Sequence, residues 1–186
     1  MIIESVIKEA EQRMGLVLQN LKDELSRVRT GRANAGLVES VKVDYYGSDT
    51  PLKNIASIVV SDARTIVITP WEKHLIKAIE KAIAKAELGL NPISEADLVR
   101  ITIPPLTEER RLELVKIVKS IAENSKVAVR GVRRDAMDEL KNKLKLKEID
   151  EDSERRTKDA VQKLTDQQIA EVDHVAELKE QDLLRV

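Results

Sequence analysis

Residues 107–144 read TEERRLELVKIVKSIAENSKVAVRGVRRDAMDELKNKL, and this stretch decides the fold. Leu114, Ile117, Ile121, Ala128, Val132, Ala136, Leu140 and Leu144 recur in it at helical spacing. It opens just after Pro104-Pro105. Thr107 is the expected N-cap, and Glu108 and Glu109 sit where a helix dipole favours acids. At about 1.5 Å per residue, some forty residues make a rod of roughly 60 Å. A rod with a single apolar stripe is not stable alone, so it requires partners of similar length.

Both flanks supply them. Ile3, Ile7, Ala10, Met14, Val17, Leu21, Leu25 and Val28 step by threes and fours, with only Gly15 interrupting. This first helix is expected to end near Thr30-Gly31. A third helix opens on Asp150, Glu151 and Asp152 and runs through Val161, Leu164, Val172, Val175 and Leu183. The link around 147–150 is short, which makes helices two and three antiparallel neighbours.

Between helix one and helix two the period changes. Val41, Val43 and Tyr45 alternate with Lys42 and Asp44 before Gly47. Residues 55–60 and 64–69 are β-branched runs separated by Ser61-Asp62-Ala63, the pattern of a hairpin. One amphipathic helix carries Ile76, Ile79 and Ile83 and stops near Gly89; Thr69-Pro70-Trp71-Glu72 and Leu75 are equally good starts. Asn91-Pro92 is expected to break the chain, and residues 99–103 to form a last strand. The fold class is α+β: an elongated antiparallel three-helix bundle, residues 1–30 and 106–186, with a small β-rich α/β domain, residues 31–105, inserted in it. Two crossings join the pieces, near 30–32 and 103–106. Thr30 and Gly31 in one, and Pro104 and Pro105 in the other, are the candidate hinge. The alternative is a rigid, well-packed interface.

Composition narrows the function. The 186 residues contain no Cys and no Phe, one Trp (Trp71) and two Tyr (Tyr45, Tyr46). Absence of Cys excludes disulfides, thiolate metal sites and cysteine catalysis. Early acids at Glu4, Glu9 and Glu11 do not read as a signal peptide, and no apolar run approaches a membrane span, so a cytoplasmic protein without membrane association is expected. The two histidines, His74 and His174, fall in different modules with no nucleophile nearby. The segment 31–36, GRANAG, has two glycines but lacks the Lys-Ser/Thr of a phosphate loop and precedes a strand. No catalytic residue, metal site or cofactor site is legible, and a non-enzyme is expected.

Charge is balanced globally, at −1, but not locally. Residues 107–147 carry twelve basic and seven acidic groups, and residues 148–186 carry six and twelve. Lys126, Arg130, Arg133 and Arg134 share one face of helix two, extended by Lys119. Arg29, Arg32, Arg110 and Arg111 form a second cluster if helices one and two end and begin side by side. Guanidinium forks suit phosphate oxygens, so a backbone-reading RNA track is one reading. Pairing of these arginines with acids of helix three is the other. Gly131 inside the stripe weakens its helix by roughly 1 kcal/mol.

These residues occur together in one family. Arg29-Thr30-Gly31-Arg32-Ala33, Tyr45-Tyr46-Gly47, Leu88-Gly89-Leu90-Asn91-Pro92, residues 104–111 (PPLTEERR), residues 127–136 (VAVRGVRRDA) and residues 161–166 (VQKLTD) stand in the order found there. The chain resembles the bacterial-type ribosome recycling factors over essentially its whole length. The resemblance implies an L-shaped two-domain protein acting in protein biosynthesis, after translation termination, between the ribosomal subunits. It implies a monomer whose bundle lies on large-subunit ribosomal RNA. It also implies a partner, elongation factor G, whose GTP hydrolysis drives subunit separation and ribosome recycling. Carried over, the RNA-contacting residues are Arg29, Arg32, Arg110, Arg111, Arg130, Arg133 and Arg134, with Arg133 and then Arg130 foremost. The family often has a polar residue where Gly131 stands. A coiled-coil scaffold or adaptor without RNA binding is the rival reading.

Overall fold

The computed structural model describes residues 2–185. Three long helices dominate: α1 (Ile2–Arg27), α4 (Glu108–Lys145) and α5 (Glu151–Leu184). They pack on one another as a compact unit, and residues Thr30–Thr107 form a second. The second contains α2 (Gly36–Glu39), β1 (Lys42–Tyr45), β2 (Ser48–Pro51), β3 (Ala56–Asp62), β4 (Thr65–Pro70), α3 (Ile76–Lys85), β5 (Asn91–Ser94) and β6 (Val99–Thr102).

In the bundle, Val6, Ala10 and Met14 of α1 bury against Val129, Val132, Ala136 and Leu140 of α4 and Val161 of α5. The buried stripe of α4 is Leu114, Val118, Ala122, Val129, Val132, Ala136 and Leu140. The expected stripe differs: Ile117 is 42% exposed and Ala128 faces solvent. A run of four-residue steps drifts about 40° per step around a helix of 3.6 residues per turn. At about 100° per residue the observed set falls within an arc of about 80°, and Ile117 and Ala128 lie about 60° and 40° outside it. In α5 the sequence reading missed Thr157 and Thr165. Both are buried, because each hydroxyl donates to the carbonyl four residues back, Ser153 and Val161, at 2.7 Å.

Helix ends follow local chemistry. Asp150 caps α5: its Oδ1 accepts from the Ser153 amide, and the Ser153 side chain, followed by that amide, holds the Asp150 carboxyl below the usual carboxylate range. Lys147, with φ of 58°, makes the tight turn before it. Helix α1 stops at Arg27, short of Thr30-Gly31. The Val28 amide bonds to the Leu25 carbonyl, a tighter i to i−3 closure that ends the α-helical ladder.

The second unit has two antiparallel sheets, β1-β2 and β3-β4-β6-β5. Tyr45 faces Ser48 across a two-residue turn whose members, Tyr46 and Gly47, both have positive φ (51° and 82°). That is the hairpin turn matched to strand twist. Strand β2 is a correction to the sequence reading, which saw no strand in Ser-Asp-Thr-Pro. Asn91-Pro92 is a second correction. It does not break the chain but opens β5, an edge strand, where a residue without an N–H is tolerated. Helix α3 begins at Ile76 after a 3-10 turn over Lys73–Leu75, so Leu75 marks the start and Pro70 still belongs to β4. The core is aliphatic: Val43, Leu52, Ile66, Ile68, Ile79, Val99 and Ile101 are all fully buried. No helix of the described residues is long and apolar enough to cross a membrane.

Candidate nucleic-acid interface

Lys126 and Arg133 lie on the α5-side flank of α4, and Arg130 and Arg134 fall further round, clear of the buried stripe. Arg133 is half-buried, and its Nη1 donates to Oε1 of Gln162 on α5 at 3.0 Å. Arg130 reaches back to Glu123 of its own helix at 3.3 Å, an exposed and weak pair. Arg134 is exposed and has no hydrogen-bond or ion-pair partner among the described residues.

Lys126 behaves differently. Its Nζ lies 2.9 Å from Asp173 of α5 and 3.4 Å from Glu123. The hydrogen bond to Asp173, with a smaller contribution from Glu123, raises the ammonium above the usual lysine range. Glu123 is correspondingly lowered, first by Arg130 and then by Lys126. Pairing with acids of helix three, the competing explanation of the stripe, therefore accounts for Lys126, whereas Arg133 meets that helix through an amide and Arg130 and Arg134 have no acid partner on it among the described residues.

The second cluster is more dispersed. Arg13 of α1 pairs with Asp135 of α4 at 2.6 Å, which marks where the two helices stand level. From that pair, at about 1.5 Å per residue, Arg27 stands level with about Ile121. Helix α4 thus begins well beyond the end of α1. Arg110 and Arg111 lie about 15 Å further along the axis, not beside the end of α1. Arg110 pairs with Glu113 at 2.8 Å, an exposed i,i+3 contact. Arg29 and Arg111 have no partner among the described residues, and neither has Arg32, which belongs to the other unit.

The four candidate hinge residues fall at the two chain ends of the Thr30–Thr107 unit. Gly31 has φ of 72°, and a Cβ there would meet Leu106 Cγ at 3.0 Å. The incoming and outgoing chains thus run against each other. The same hairpin turn tethers both: the Ala33 amide bonds to the Ala63 carbonyl at 2.8 Å, and the Ile103 amide to the Arg64 carbonyl at 2.7 Å.

No group of His, Cys, Asp and Glu arranged to hold a metal occurs among the described residues. His74 packs with Tyr46 and lies 3.4 Å from Glu72. Sequence reasoning missed this corner of the small unit. Glu72 accepts from the phenols of both Tyr45 and Tyr46 at 2.8 Å. Twenty-six residues of separation hide that pairing from any local pattern. The sequence reading also missed Gln162, although it quoted the segment that holds it. An amide one turn before Asp166 looks like ordinary helix surface until α4 is laid beside it.

A profile of the ribosome recycling factor family matches residues 21–184. The ribosome-recycling factor of Coxiella burnetii (strain CbuG_Q212) is 52% identical over 185 residues, covering all of both chains. That of Legionella pneumophila (strain Paris) is 50% identical, again over the full length of each. A solution structure of the ribosome recycling factor superposes with a TM-score of 0.80 at 42% identity, covering 100% of this chain and 99% of that one. A second match has a TM-score of 0.65 at 44% identity, covering both chains fully. It is a model of the T. thermophilus ribosome recycling factor and the E. coli elongation factor G bound to the E. coli post-termination complex.

Proposed function

The chain belongs to the ribosome recycling factor family, and on that premise we propose that it is a cytoplasmic translation factor that binds the ribosome after termination. With elongation factor G and GTP it promotes disassembly and recycling of that ribosome. The hydrolysis belongs to the partner; this chain binds and transmits force but catalyses nothing. The bundle lies on large-subunit ribosomal RNA. Arg133, Arg130, Arg134, Arg111, Arg110 and Arg29 of the bundle, with Arg32 of the inserted domain, meet the phosphates. The domain of residues 31–105 turns on Thr30, Gly31, Pro104 and Pro105 when the GTPase acts.

The observation that carries this reading is the state of the cations on α4. Lys126 is neutralised by carboxylates, whereas Arg133 is held by a neutral amide and Arg134 by nothing. A guanidinium that keeps its charge at a bundle surface suits a phosphate oxygen. The supporting physics is electrostatic, so binding should weaken steeply with salt.

The test is co-sedimentation of Arg133→Ala with vacant ribosomes at low and high salt. One charge-assisted contact is worth about 1.5–3 kcal/mol, so binding should weaken roughly ten- to a hundredfold with little change in folding. Splitting of post-termination complexes with elongation factor G and GTP should fall in parallel. Undiminished binding would refute the assignment of Arg133, as would a loss fully explained by unfolding of the bundle.

A further inference from the structure

Arg133 is the first member of a three-residue chain. Its Nη1 donates to Oε1 of Gln162, and Nε2 of Gln162 donates to Oδ1 of Asp166 at 2.9 Å. Gln162 and Asp166 are one turn apart on α5. The direction of the chain is fixed by chemistry. An ionised carboxylate only accepts, so the amide of Gln162 must turn its NH₂ toward Asp166 and its oxygen toward Arg133. A guanidinium only donates, so it can use only that oxygen.

We infer that Gln162, oriented by Asp166, is a positioning residue. It holds the Arg133 guanidinium in one pose on the bundle surface without neutralising it. The inference rests on the reading of Arg133 as an RNA contact. An amide oxygen orders the arginine, and four of the five guanidinium N–H groups are left for a phosphate. The entropy of immobilising a long side chain is then lost during folding and not during docking. A carboxylate in the same place would order the arginine equally well but would take its charge, as Asp173 does to Lys126 along the same flank. Asp166 acts at one remove, as an orienting group with no contact to Arg133 among the described bonds.

Two substitutions separate holding from charge. Gln162→Met keeps the length of the side chain and removes the acceptor. Gln162→Glu keeps an acceptor and adds a charge. The full-length variants are titrated against vacant ribosomes over a range of salt concentrations, with Arg133→Ala alongside and urea unfolding of each as a control.

Gln162→Met should bind several-fold more weakly with the salt slope of the wild type, because the same phosphates are still neutralised. Gln162→Glu should bind about tenfold more weakly, with a slope shallower by roughly 0.7–0.9, matching Arg133→Ala. Its unfolding midpoint should stay close to that of the wild type, since the new ion pair with Arg133 is set against the lost bond to Asp166 and the repulsion of two carboxylates one turn apart. A shallower salt slope without unfolding is what a merely structural glutamine would not produce. If Arg133→Ala weakens binding but both Gln162 variants bind like the wild type, the positioning role is wrong and the RNA contact stands. If Arg133→Ala changes neither affinity nor slope, the RNA contact is wrong and the positioning role falls with it. Binding losses that track loss of folding in both Gln162 variants would return the residue to structure.

Discussion

Two glycines of this chain should respond to the same substitution with opposite signs. Gly131 lies inside α4 with helical backbone, and a Cβ built on it meets nothing within 4 Å. Replacing it by Ala therefore carries no steric penalty. The gain is the helix-propensity difference, about 0.8–1 kcal/mol, since the position is half-exposed and buries little new surface. For a domain of about this size that is a rise in midpoint temperature of roughly 3–6 °C. Gly15 in α1 is also open within 4 Å, so Gly15→Ala should add a similar amount, and the double substitution about 2 kcal/mol.

Gly31 differs in two respects. Its φ is 72°, and its Cβ would sit 3.0 Å from Leu106 Cγ and 3.3 Å from the Leu106 backbone nitrogen. A left-handed alanine costs about 1–2 kcal/mol before Leu106 has moved at all. The assay is urea unfolding, with helical ellipticity reporting the bundle and fluorescence of Trp71, the sole tryptophan, reporting the smaller unit. A neutral or destabilising Gly131→Ala, at unchanged m-value, would refute the argument that the position is sterically open and loses only helix propensity. A neutral Gly31→Ala would refute the close passage of the two chains at Leu106.

Leu140 is fully buried in the bundle core, so Leu140→Ala should cost about 2–5 kcal/mol by the same assay, and a loss below about 1 kcal/mol would mean the site collapses around the cavity. In the smaller unit, the phenols of Tyr46 and then Tyr45 hold the Glu72 carboxyl below its ordinary value of 4.5. The same bonds push both phenols above their ordinary value of 10.0. A carboxyl lowered by folding stabilises above its unfolded value, and that contribution is lost as pH falls through the depressed one. Phenols raised by folding stabilise below pH 10, and that contribution is lost as pH rises through their elevated values. Glu72→Gln should bring the ultraviolet titration of the two tyrosines back toward its ordinary midpoint; an unmoved midpoint would refute the shared carboxylate. The Arg133 and Gln162 variants complete the set.

The three rods were legible because their signals are local. Helical spacing, the acids that open α4 and α5, and the turn around Lys147 each span a few residues. The same holds for the hairpin built from residues 55–69. Two elements of the small unit were hidden. Strand β2 has almost no β-branched character and exists because the Tyr46-Gly47 turn pairs it with β1. Strand β5 contains a proline that only its place at a sheet edge makes harmless. Within α4, helical spacing alone admitted Ile117 and Ala128, which lie about 60° and 40° beyond the edge of the buried arc; steps of three, four and seven suit both stripes, and only packing chose between them.

The sequence by itself determined the division into a helical part and a β-rich insertion, and the supply of arginines. It did so because periodicity, turn chemistry and charge are written along the chain. What those arginines are free to do was decided only in three dimensions. Lys126 and Arg133 are seven residues apart on the same helix and read alike in one dimension. Packing of α5 sets a carboxylate against the first and an amide against the second, so one charge is consumed and the other kept. Whether a cation is spent internally depends on which atom lies within about 3 Å of it, and that is settled by the register of two helices and not by either sequence alone.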